Sequence, residues 1–85
     1  MRTMRTIRTI SGIPFEPIGS GIGDRAMLRH RAAGGTEYML IESSDGRTVK
    51  HVIQQADGGW SEVHDSPQAA VAAMVAREER RAKTA

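Results

Sequence analysis

The chain has no cysteine among its 85 residues. Disulfides, thiolate nucleophiles and cysteine-ligated zinc are therefore excluded. Aromatics are nearly absent too, with one Phe, one Tyr and one Trp. A base-stacking surface of the kind that holds single-stranded nucleic acid has little to work with. No apolar run approaches the ~18 residues of a membrane span. Arginines near the start are followed by no apolar segment, so no secretory signal is expected. These absences predict a soluble, cytoplasmic protein with no membrane partner.

Prolines number three and glycines nine, and their placement organises the chain. A chain of this length buries only about 60% of its extended surface, which suits one small domain spanning 1–85. Residues 1–4 are expected to fray. The triplets Met1-Arg2-Thr3, Met4-Arg5-Thr6 and Ile7-Arg8-Thr9 favour an edge strand over 5–10, because Thr and Ile prefer strands. Ile13-Pro14, Glu16-Pro17 and four glycines predict an irregular loop over 11–23, with Phe15 and Ile18 anchoring it.

Alternation then takes over. Ala26, Leu28, His30 and Ala32 share one face, and Arg25, Met27, Arg29 and Arg31 share the other. Gly34-Gly35 turns the chain into a strand from Thr36 to Glu42. Ser44-Asp45-Gly46-Arg47 and Asp57-Gly58-Gly59 mark two more turns, around a strand at 48–53 and before another at 60–64. The sequence thus predicts a β-meander over 25–64. Its middle strands are apolar on both faces: Met39 and Ile41 against Tyr38 and Leu40, and Val52 against Val49 and Ile53. A sheet with water on one side alternates more cleanly, so something is expected to cover the second face.

Ser66-Pro67 opens the last element. Ser66 is a good N-cap and Pro67 has its φ preset for the first helical position. Ala70, Val71, Met74, Val75 and Glu78 fall on one stripe of a helix over 66–83. The fold class that follows is α+β: a single antiparallel sheet of four to five strands, with one C-terminal α-helix packed on one face.

Candidate chemistry is sparse. His30, His51 and His64 lie 21 and 13 residues apart, which matches no metal-ligand spacing. Gly19-Ser20-Gly21-Ile22-Gly23 lacks the flanking pattern of a nucleophile elbow or phosphate loop, and reads as a connector. No catalytic, metal or cofactor-binding residue is assigned, and no enzyme activity or cofactor is expected.

Charge is the stronger signal. Residues 1–35 carry Arg2, Arg5, Arg8, Arg25, Arg29 and Arg31 against Glu16 and Asp24, a net +4. Residues 36–76 carry Arg47 and Lys50 against six acidic residues, a net −4. Arg25, Arg29 and Arg31 share a strand face. With Arg5 or Arg8 they are candidates for partner contact, as is Trp60 if exposed. Three classes of partner remain open: a protein, bound on the sheet; nucleic acid, bound along a basic stripe; or a second copy, paired through the open face or edge.

The segment Asp45-Gly46 … Asp57-Gly58-Gly59-Trp60 … Asp65-Ser66-Pro67-Gln68-Ala69-Ala70 resembles the sheet-then-helix cassette of small phage-encoded anti-CRISPR inhibitors. It is also similar to the sheet-to-helix step of HicB-type antitoxin domains. The resemblance covers about half the chain, and residues 1–35 match neither group. The inhibitor resemblance implies a non-enzymatic protein of phage or mobile-element type that blocks a host defence nuclease complex by binding it.

Overall fold

Ser11 and Gly12 both take positive φ, at 53° and 80°. That pair of angles is what a two-residue hairpin turn of matching twist requires. It reverses the chain between β1 (Arg8–Ile10) and β2 (Ile13–Pro17), with Ile10 opposite Ile13. The three turns after β3 also each have a glycine at positive φ, namely Gly35, Gly46 and Gly58. They connect β3 (Met27–Arg31), β4 (Glu37–Ser44), β5 (Val49–Gln55) and β6 (Ser61–His64). The computed structural model describes residues 7–18, 27–44 and 46–84. Its strands form one antiparallel sheet in the order β1-β2-β3-β4-β5-β6. The α+β class with a C-terminal helix holds, but the sheet has six strands where four to five were expected.

The additional strand is β2, from the stretch expected to be irregular. Two prolines within five residues are what hid it. Their positions make them tolerable. β2 pairs with β3 through Glu16↔Arg29 and Pro17↔Leu28, and Ile18 N–H donates to the Met27 carbonyl at 3.0 Å. Continuing that register sets Pro14 opposite Arg31, where a ladder bond needs an N–H that proline lacks. The pairing stops there. The Pro14 carbonyl instead meets Nδ1 of His30 at 3.0 Å. Toward β1, Pro14 faces Thr9 between the Ile10↔Ile13 and Arg8↔Phe15 pairs, and alternation requires no N–H from it there.

The helix α1 (Pro67–Thr84) begins as the sequence dictates. Ser66 Oγ accepts from Ala69 N–H at 3.1 Å, and its carbonyl takes the Ala70 N–H at 3.1 Å. One side-chain oxygen thus satisfies a donor that the helix cannot. Ala70, Val71 and Met74 are buried against Ile10, Phe15, Leu28, Tyr38, Leu40 and Ile53. Each large aliphatic or aromatic member contributes about 1.5–3 kcal/mol on full burial. The alanine keeps the helix axis close to the sheet.

The registers fix which side chains lie under α1. Phe15, Leu28, His30, Tyr38, Leu40, His51 and Ile53 share that face. Met27, Arg29, Arg31, Met39, Ile41, Val52 and Val63 share the other. β1 and β2 lie within the plane of the sheet, so among the described residues nothing lies across this second face. Replacing Ser66 by Ala should lower stability by about 1 kcal/mol in urea unfolding with an unchanged m-value, the usual cost of a lost cap. An unchanged midpoint would show that the cap contributes nothing.

Candidate functional site: the open sheet face

Cross-strand register builds a grid on the face that α1 leaves open. Met27 opposes Ile41, Ile41 opposes Val52, and Val52 opposes Val63. Four apolar side chains therefore form one row across four strands. Adjacent strands lie about 4.8 Å apart, so the row spans roughly 14 Å. Met39 stands next to it, between Arg29 and Gln54 in register. Met27, Met39, Ile41 and Val52 are half-buried against one another, while Val63 at the end of the row is 61% exposed.

Ion pairs flank the row on both sides. Arg29 Nη2 donates to Glu16 Oε1 at 2.5 Å, and Arg31 Nη2 to Glu37 Oε1 at 3.0 Å. Beyond the other side of the row, Lys50 Nζ donates to Asp65 Oδ1 at 2.6 Å. The bond to Glu16 raises the Arg29 pKa, and the bond to Lys50 holds the Asp65 carboxyl below its ordinary range. Solvated pairs of this kind add little to stability. Their larger effect is to leave no surplus of positive charge at these three cations.

The expected arginine stripe therefore has a different form. Arg29 and Arg31 do share the open face, each already holding a carboxylate. Arg8 does not join them. It shares the α1 side of β1 with Ile10, and β2 lies between its strand and β3. Arg5 and Arg25 lie outside the described residues, as does the glycine cluster 19–23. Where the ladder between β2 and β3 stops at Pro14, a cavity of about 330 Å³ opens, lined by Pro14, Phe15, Arg29, His30, Arg31 and Glu37. Its cations and carboxylates are matched, and its imidazole is engaged by a carbonyl.

Trp60 is on the helix side. It is half-buried, meets Tyr38 edge to face at 6.0 Å, and has the Arg77 guanidinium 5.0 Å from its ring centroid. It closes the end of the core. His51 is buried at 8% exposure, and His64 Nε2 lies 2.9 Å from Glu62 Oε1. His51 and His64 therefore stand opposite each other in register on the α1 side, with His30 apart on β3, and no group of three metal-ligating side chains exists among the described residues.

One arrangement was not foreseen from the sequence. Tyr38, with no exposed surface, donates its hydroxyl to Glu78 Oε2. Arg81 stands 4.0 Å from the same oxygen, and Arg77 Nη2 donates to Gln55 Oε1 at 2.8 Å. The signal was present: Glu78 is a carboxylate inside the apolar stripe of α1, and such a residue needs a buried donor. This network ties α1 to β4 and β5 and fixes the helix over one face only.

Burial, then the bond to Glu78, raises the Tyr38 pKa. As the only tyrosine, it can be followed by absorbance at 295 nm. The native midpoint should lie above the unfolded value of about 10. With the folded pKa raised, this contribution to stability is intact below the unfolded pKa and is lost as pH rises through the folded one. Equal midpoints for native and urea-unfolded chain would contradict the buried bond. Tyr38→Phe should cost about 1–3 kcal/mol, because the Glu78 carboxylate loses its donor.

No protein-family model, no curated protein and no solved structure matches this chain. What the open face can do follows from its own residues.

Proposed function

We propose that this chain is a non-enzymatic protein-binding module whose contact surface is the sheet face opposite α1. The observation that carries the reading is the row Met27–Ile41–Val52–Val63, set in register across four adjacent strands and ending in an exposed valine. An apolar centre with a rim of ion pairs has the anatomy of a protein interface. Such a row gains free energy only when another apolar surface removes it from water. The partner class is a protein presenting an apolar patch. The resemblance of residues 45–70 to anti-CRISPR inhibitors gives the finer form of the proposal, a phage or mobile-element inhibitor that blocks a host defence nuclease complex by occupancy.

Protein is favoured over nucleic acid because Arg29, Arg31 and Lys50 are matched by carboxylates on the same face. Phosphate binding there would first have to break those pairs. The non-enzymatic reading is supported by the engagement of His30 with the Pro14 carbonyl and of His64 with Glu62.

Ile41→Asp and Val52→Asp should abolish capture of a host protein or nucleoprotein complex by the immobilised chain, while Val49→Asp, on the α1 side of β5, should not. Thermal unfolding of each variant controls for folding. Equal capture by all four proteins would remove the open face as the contact surface. Retarded migration of generic DNA at low salt, lost on Arg29→Glu, would favour the nucleic-acid alternative instead.

A further inference from the structure

Strand β6 forms one edge of the sheet, and its backbone orientation can be worked out. Gln55 N–H donates to the Trp60 carbonyl at 2.8 Å, and the register sets those residues opposite each other. They therefore form a hydrogen-bonded pair. Alternation along an antiparallel ladder then turns the backbone groups of Glu62 and His64 toward β5, and those of Ser61 and Val63 outward. Lysine, proline and bulges are among the devices that blunt natural edges. Ser61–His64 has no lysine or proline and pairs with β5 without a bulge. At its outward-facing centre stands Val63, more exposed at 61% than Ile7 or Val49.

We propose that β6 pairs antiparallel with β6 of a second copy, about a two-fold axis through Val63. Two six-stranded sheets then become one continuous sheet. The side chains select both the partner and the register. Outward-facing backbone groups must meet outward-facing groups, which leaves two-fold axes at Glu62, Val63 or His64. An axis at Glu62 sets two carboxylates opposite each other, and like charges in direct opposition are destabilising. An axis at His64 sets two imidazoles opposite each other and leaves Val63 without an apolar neighbour. The axis at Val63 sets Val63 against Val63, and each Glu62 against the partner's His64. Ser61 then faces the partner's Asp65, which extends the backbone ladder on both sides of the axis.

The pairing also joins the two apolar rows. Met27–Ile41–Val52–Val63 of one copy runs into Val63–Val52–Ile41–Met27 of the other, on the same face, with both helices on the opposite side. The inference goes beyond the function proposed above. It stands on the edge and its register, and it holds whatever occupies the face.

A chain without cysteine allows a direct test. In this register two Val63 Cα atoms lie about 5.5 Å apart, within disulfide range. Val63→Cys should therefore oxidise rapidly to a covalent dimer at micromolar concentration. Ser61→Cys, set well away from its own copy, should not. Sedimentation equilibrium of the unmodified chain should give twice the chain mass. Glu62→Lys should weaken the dimer about tenfold, since it places two cations opposite two imidazoles. The exchanged pair Glu62→His with His64→Glu should restore it, which a merely structural role for either residue would not produce. Two results overturn the proposal: a monomer by sedimentation at 100 μM (roughly the scale of a weak dimer), or Val63→Cys cross-linking no faster than Ser61→Cys. Pairing of β6 with a foreign strand would appear as that monomer outcome. Partner capture by the Ile41→Asp and Val52→Asp variants is measured separately, so failure of one proposal leaves the other to its own result.

Discussion

One helix can cover only one face of a sheet, and most of this protein follows from that constraint. An α-helix of 18 residues is about 27 Å long. Six strands at their usual spacing are about 24 Å across. α1 is therefore long enough to cross the sheet once, and it packs against strands as far apart as β6 and β1. The Tyr38–Glu78 bond and the Arg77 contacts to Gln55 and Trp60 hold it there. Every apolar residue of opposite parity is left on the other side. Met27, Ile41, Val52 and Val63 are left without a covering helix because α1 lies on the other face.

The charge distribution takes on meaning through pairing. The basic N-terminal third and the acidic middle looked like separate regions along the chain. In the fold, Arg31 reaches across a hairpin to Glu37, and Lys50 reaches the Asp65 that precedes α1. Arg29 finds Glu16 because β2 lies beside β3. These pairs border the apolar row and offer nearly neutral rims. A neutral rim around an apolar centre favours a protein surface over a polyanion.

The open face and the β6 edge are two consequences of the same registers. Register decides that Val63 lies in line with Ile41 and Val52, and it also decides that the backbone of Val63 points outward. The proposed partner surface and the proposed edge for a second copy therefore meet at a single residue. A dimer built through that edge doubles the face without covering it.

Local signals were legible from the sequence because they depend on neighbours along the chain. The glycine turns, the Ser66 cap, the helical stripe from Ala70 to Glu78 and the alternation around Leu28 all appear in the fold. β2 was not legible. Two prolines argue against a strand unless one knows which N–H groups the neighbouring strands require, and that is a property of the sheet. The place of Arg8 and the bond between Tyr38 and Glu78 were hidden for the same reason, since residues 40 positions apart meet only through packing. Sequence by itself determined that the middle strands are apolar on both sides, because parity is fixed by the period of two. Only the tertiary structure decided which side the helix would take, and so which four residues stand in a row on the other, because that depends on register between strands and on a carboxylate finding its buried hydroxyl.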